Sequence, residues 1–177
     1  KGVGTKSLLI RAVGPTLSVF GVPGVLADPV LTIYSGSTVV ASNDDWGTST
    51  LATAAEVAAA ATAVGGFPLN AGSKDAALLI TLPEGAYTAQ VSGANSAQGV
   101  ALIEVYDLSP ASTAQKLFNI STRATAGTGD ATLTAGIVVT GNASKRVMIR
   151  AVGPGLAQFG LTGTLPAPVL VLTNQSG

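Results

Sequence analysis

Apolar residues come along this chain mostly in short runs, each closed by glycine, proline or small polar residues. That is the rhythm of strands and turns. Residues 7–13 are apolar around Arg11 and stop at Gly14-Pro15. Residues 30–34 and 38–42 flank Ser35-Gly36-Ser37, which predicts a hairpin. Residues 76–82 run into Pro83-Glu84-Gly85, a turn with proline early and glycine late. Residues 86–92 then alternate, with Tyr87, Ala89 and Val91 on one face. Residues 100–108 give another strand through Val100, Leu102 and Tyr106. Residues 116–125 and 132–140 give two more around Gly127-Thr128-Gly129-Asp130, read as a hairpin turn. Residues 48–64 break this pattern: they are dense in alanine, with Ser49 or Thr50 as N-cap candidates and Gly65-Gly66 as a stop. They predict a helix of about four turns whose small side chains can lie close to a sheet. The fold class expected is all-β, a β-sandwich or jelly-roll-like arrangement with one short Ala-rich helix.

The chain also repeats itself. Residues 6–37, KSLLIRAVGPTLSVFGVPGVLADPVLTIYSGS, return at 145–176 as KRVMIRAVGPGLAQFGLTGTLPAPVLVLTNQS. Arg150 lies 139 positions after Arg11, and Pro168 lies 139 after Pro29, so the copies align without a gap. About half the aligned positions are identical, and IRAVGP is intact in both. Residues 145–152 thus repeat the first strand. Residues 1–144 are expected to form one repeat unit and residues 145–177 the start of a second. The expected origin is a processed or excised stretch of a longer protein that opens and closes inside a repeat.

Two sets of residues carry a resemblance. DPVLTIYSGSTVVASNDDW, followed by LPEGAYTAQVSG and GVALIEVYDL, resembles the bacterial pre-peptidase C-terminal β-sandwich family. LFNISTRATAGTGDATLTAGIVVTG, then IRAVGP, then DPVL through EVYDL, resembles a tandem β-sandwich repeat of large secreted, Verrucomicrobia-type bacterial surface proteins. In that family's order the repeat opens near Leu117, so the order here is circularly rotated. The resemblance implies a β-sandwich and an extracellular or cell-surface location. It brings no catalytic residues with it.

Composition narrows the function. Nine basic residues balance nine acidic ones, and only 10% of positions are charged, against a typical ~25%. A neutral, weakly charged surface does not repel copies of itself. No basic cluster points to nucleic acid. Cysteine and histidine are both absent, which removes disulfides and Cys/His zinc sites. No apolar run approaches the ~18 residues of a membrane span, so no membrane insertion is expected.

Few residues suggest chemistry. Asn43-Asp44-Asp45-Trp46 is the densest acidic cluster. With Asp28 it makes a candidate calcium site of hard oxygen ligands, Asp28, Asn43, Asp44 and Asp45, and the resembled sandwich family sometimes binds calcium in this loop. A plain turn is preferred, because Asn and Asp close turns through their own backbone and the second copy has Ala167 in place of Asp28. No other cofactor is indicated. Arg11 and Arg150 sit mid-strand among apolar neighbours, where an arginine must pair or snorkel. A structural ion pair with Glu104 or Asp75 is preferred to a carboxylate or polysaccharide site. Histidine is absent and the acids are scattered; lysine or carboxylate bases stay open, but no signature places one beside a serine and no glycosidase carboxylate pair stands out, so no enzyme is expected. Trp46, Tyr34, Tyr87 and Tyr106 could stack on sugars but read better as packing.

The function expected is an extracellular structural protein that assembles head to tail by β-strand addition into a filament or linear array. Its partners would be copies of itself or adjacent repeats, with Ile149, Val152, Leu170 and Leu172 packing against the next unit. The alternative is a calcium- or glycan-binding adhesion module of a large secreted surface protein, with surface glycans as partners.

Overall fold

The computed structural model describes residues 4–110 and 116–174. Six strands form in chain order: β1 (Thr5–Val13), β2 (Pro29–Ser35), β3 (Thr38–Asn43), β4 (Ala76–Pro83), β5 (Thr88–Gly93) and β6 (Leu102–Asp107). One helix, α1 (Ala54–Ala63), falls between β3 and β4. The strands make two antiparallel three-stranded sheets, ordered β4-β1-β6 and β3-β2-β5. The fold is all-β with one short helix. The chain divides into two compact units, 1–120 and 121–177, and the repeat boundary expected at 144/145 lies inside the second.

The first sheet explains its own sequence. Leu8, Ile10 and Ala12 point to one side and share a core with Leu31 and Ile33 of β2 and with Ala76, Leu78, Ile80 and Leu82 of β4. Leu9 points to the other side and meets Trp46, Val57, Ala61 and Ala77. The β4-β1-β6 sheet therefore lies between the second sheet and the helix layer. A strand covered on both faces reads as a continuous apolar run, and that is why residues 7–13 and 76–82 do not alternate. Full burial of a leucine such as Leu9 or Leu78 contributes about 1.5–3 kcal/mol. β2 alternates instead, with Leu31 and Ile33 inward and Thr32 meeting Ser42 on the outer face at 3.1 Å. The predicted hairpin joins β2 to β3, with Gly36 at φ 60°.

The helix is shorter than the alanine run predicts. Its N-cap is Thr53, not Ser49 or Thr50. The Thr53 hydroxyl accepts from the Glu56 backbone, and the Glu56 carboxylate accepts from the Thr53 N–H at 2.8 Å, a reciprocal box that fixes the start. Those bonds hold the Glu56 carboxyl below the ordinary carboxylate range. Trp46–Thr48 forms a short 3₁₀ turn ahead of it, and the stop falls at Gly65, with φ 75°.

Residues 116–174 contain no strand among the described residues, against the expectation at 116–125, 132–140 and 145–152. A strand needs a hydrogen-bonded neighbour on at least one side, and the twin of β1 has no such partner among the described residues. What the second copy does keep is local geometry. Pro15–Phe20 and Pro154–Phe159 are both 3₁₀ turns. They start from Gly14 (φ −124°, ψ −77°) and Gly153 (φ −115°, ψ −86°), and end at left-handed Gly21 (φ 75°) and Gly160 (φ 78°). A Cβ on Gly14 would collide with the Leu26 carbonyl, and one on Gly153 with the Leu165 carbonyl.

Gly14→Ala is therefore expected to destabilise the first unit by about 1–3 kcal/mol, the cost of overpacking. Gly153→Ala is expected to leave that unit unchanged. Urea unfolding followed by the fluorescence of Trp46, the single tryptophan, checks both.

Candidate functional site

Antiparallel pairing of β1 with β6 sets Arg11 directly across from Glu104. Arg11 Nε donates to Glu104 Oε2 at 2.8 Å, and its Nη2 donates to the same oxygen. Nη1 donates to the Phe67 carbonyl at 2.6 Å. The guanidinium lies over the Phe67 ring, 4.5 Å from its centroid, with Tyr106 at 5.6 Å. The Tyr106 hydroxyl donates to the other Glu104 oxygen at 2.7 Å. Burial, and then the Glu104 carboxylate, push that phenol above its ordinary pKa. Arg11 is fully buried. Its charge is answered by one carboxylate, one carbonyl and two aromatic faces, which makes a closed structural cluster. The cavity beside it, about 70 Å³ and lined by Arg11, Trp46, Val57, Pro68 and Leu69, has room for a few waters at most.

Asp75, the other partner considered for Arg11, does something else. It is fully buried at the head of β4. Its carboxylate accepts from the Gly14 and Thr16 backbone N–H groups at 2.8 and 3.3 Å, from the Thr16 hydroxyl, and from Ser73 at 2.5 Å. It thereby ties the Gly-Pro turn after β1 to the start of β4. In the second copy Gly155 stands where Thr16 is, so the hydroxyl donor is missing there.

The acidic loop is partly committed to structure. Asn43 is buried, donates to the Asp45 carbonyl at 2.9 Å and accepts from the Ala77 N–H at 2.9 Å. Its side chain is thus spent on closing the turn and docking it to β4. Asp28 pairs with Lys74 at 2.6 Å, which raises the lysine pKa. One oxygen of Asp28 and one of Asp45 are closed off from solvent with no donor in reach. Burial, then the charges of Asp28 and Asp45, raise the Asp44 carboxyl. Among the described residues no three acidic side chains are grouped so as to hold a metal by themselves. The aromatic residues are dispersed: Trp46 is in the core, Tyr87 packs against the sheet interface and Tyr106 flanks Arg11.

The larger anomaly is apolar. Leu9, Val13, Leu31 and Ile33 are at most 1% exposed, while their twins Met148, Val152, Leu170 and Leu172 are 81, 47, 52 and 77% exposed. Arg150 is exposed where Arg11 is buried, and Ile149 is partly exposed where Ile10 is buried. Leu133, Ile137 and Val139 are also bare. Large apolar side chains exposed in such number fit a surface that another surface covers.

Comparison with known proteins finds no matching family model, no matching curated protein and no matching solved structure. The candidate site thus rests on its own geometry, and its strongest element is the contrast between the two copies. Where strand partners flank it the sequence IRAV is a core strand, and in the second copy it forms no strand and is wholly or partly exposed.

Removing Arg11 alone strands the Glu104 carboxylate. Arg11→Met is expected to cost about 3–5 kcal/mol, and Arg11→Met with Glu104→Met to recover most of that loss. Equal losses in the single and double variants, by urea unfolding, would show that the pair is not coupled.

Proposed function

We propose that this chain is an extracellular structural module that joins neighbouring units head to tail by β-strand addition, in a filament or linear array, with no catalytic role. The observation carrying this reading is that Ile149, Val152, Leu170 and Leu172 repeat core residues of the first copy yet are wholly or partly exposed in the second. In strand addition, main-chain hydrogen bonds supply affinity and alternate side chains supply register. Zero net charge and sparse charge remove the repulsion that keeps copies apart. The extracellular location follows the resemblance to secreted surface repeats and fits a cysteine-free, low-charge chain. Sedimentation across a concentration series, with electron microscopy of the native material, tests it. Regular arrays are expected for the wild type, and Leu170→Asp with Leu172→Asp is expected to abolish them without moving the Trp46 unfolding transition. A wild type that stays monomeric throughout overturns the reading.

One observation favours a second reading, a calcium-binding adhesion module. A divalent cation would relieve the unpaired oxygens of Asp28 and Asp45 and the raised Asp44 carboxyl, which supports this reading. Such an ion would complete its shell with carbonyls and water. Because folding raises the Asp44 pKa, the ionised side chain opposes folding at neutral pH. That opposition fades as pH falls through the raised value toward the unfolded ~3.9. Asp44→Asn is therefore expected to raise the melting temperature at pH 7 and not at pH 3. Calcium is expected to raise it in the wild type and less so in the variant. A melting temperature indifferent to calcium removes this reading.

A further inference from the structure

The two-sheet core is closed on one side and open on the other. On β4 the inward residues Ala76, Leu78, Ile80 and Leu82 are all buried. Ala89 and Val91 of β5, and Ile103 and Val105 of β6, pack against the same core but remain partly exposed. Both strands are sheet edges. The β5/β6 side therefore lacks a strand's worth of cover, and its backbone edges are available for pairing.

Residues 132–140 have the complementary form. Leu133, Ala135, Ile137 and Val139 fall on one face, and Thr132, Thr134, Gly136, Val138 and Thr140 on the other, so one face is wholly apolar and the other polar but for Val138. That is the signature of a strand with one face buried, yet these residues have no strand partner among the described residues, and Leu133, Ile137 and Val139 are 43, 56 and 55% exposed. The repeat fixes the edge such a strand would take. Four residues separate Thr140 from Lys145, whose segment is the twin of β1. By the repeat, a strand in the corresponding place ahead of β1 ends where β1 begins. In the first unit Tyr87, immediately before β5, lies with Gly4, Lys6, Leu8, Lys116 and Leu117 around one small cavity at that end. β5 runs away from it, whereas β6 runs toward it, with Asp107 opposite Leu8. An incoming strand ending there is antiparallel to β5 and parallel to β6. Every pairing between the strands of both sheets is antiparallel.

We infer that residues 132–140 of one molecule add as an antiparallel strand to the free edge of β5 in a second copy of this chain, laying Leu133, Ala135, Ile137 and Val139 over the open β5/β6 side. A second copy is the occupant because 132–140 has no strand partner among the described residues and the neutral, sparsely charged surface offers no barrier to self-association. The slot between β4 and β6 is already filled by β1, so the β5 edge is the place where a copy gains contacts without expelling a strand. This inference rests on the assembly reading above and names its contact.

The chain has no cysteine, so single substitutions report the contact directly. Gln90→Cys, on the outward face of β5, is mixed with Thr132→Cys, Thr134→Cys or Gly136→Cys and oxidised. Val40→Cys on β3, the opposite edge of that sheet, is the control acceptor. Intermolecular disulfides to Gln90→Cys are expected to exceed the control several-fold and to peak at one of the three donors. Adding Ile137→Asp to the donor is expected to reduce them to the control level with no change in Trp46 unfolding. If arrays form while Gln90→Cys couples no better than Val40→Cys, the inference fails and the assembly reading stands. If no association is found at any concentration, both fail. A chain carrying Gln90→Cys and Thr134→Cys that links only within itself, at a rate independent of concentration, overturns the second copy as the occupant.

Discussion

Burial of β1 on both faces, with a charge in its middle, constrains everything else in the first unit. Leu8, Ile10 and Ala12 demand a second sheet, and Leu9 demands the helix layer. Arg11 cannot lie in that interior unless a carboxylate and further acceptors meet it. Glu104 must therefore lie across from it on β6, and the loop carrying Phe67 must bring a carbonyl and a ring to the guanidinium. Register between β1 and β6 is fixed by this pair as firmly as by the apolar pattern, because a one-residue slip would send Glu104 to the other face. Asp75 does the same for the end of the strand, holding the Gly14–Thr16 turn against the head of β4. At the other end Lys6 pairs with Asp107 at 2.7 Å. Burial works to raise the Asp107 carboxyl, but the bonds from Lys6 and Ser109 outweigh it and hold the group below its ordinary range.

Much of this could be read from the residues because it is local or strongly patterned. The strand runs, the turn at Gly14-Pro15, the hairpin at Gly36 and the pairing of Arg11 with a carboxylate all follow from spacing and from the cost of an unpaired buried charge. What the sequence hid falls into two kinds. Thr53-x-x-Glu56 is a capping box set inside a longer alanine run, whose composition points to an earlier helix start than the local hydrogen bonds give. Asp75 and Asn43 were illegible for a deeper reason. Their donors, Gly14 and Ala77, lie 61 and 34 residues away, and nothing in the neighbouring sequence marks a carboxylate or amide as a long-range clamp.

Residues 116–152 teach the converse point. Their alternation and β-branched content are those of strands, yet no strand forms there. Strand propensity describes fitness for a half-buried pleated surface, and without the neighbouring strand there is no such surface. IRAV at 10–13 and IRAV at 149–152 are the same four residues, one buried and paired, the other wholly or partly exposed. The short 3₁₀ turn forms in both copies because its determinants, two glycines and a proline, act within a few residues. The division between what the second copy keeps and what it lacks thus separates local from long-range forces.

That division also says which kind of association could drive assembly. If residues 145–174 of one molecule took the place of residues 6–35 in another, the expelled segment would be as exposed as the one just buried. The apolar area covered would be nearly equal before and after, since Leu9, Leu31 and Ile33 would be traded for Met148, Leu170 and Leu172. Exchange of that sort is close to neutral and supplies little net driving force, so Ile149, Val152, Leu170 and Leu172 gain cover by packing on a neighbouring unit beside its β1 rather than in place of it. Addition at a vacant edge expels nothing. It covers Leu133, Ile137 and Val139 together with the half-open Val91, Ile103 and Val105, and pairs backbone groups that water otherwise satisfies. At roughly 25 cal/mol for each Å² of apolar surface removed from water, a gain that grows with every added unit favours extension at the β5 edge over exchange at β1.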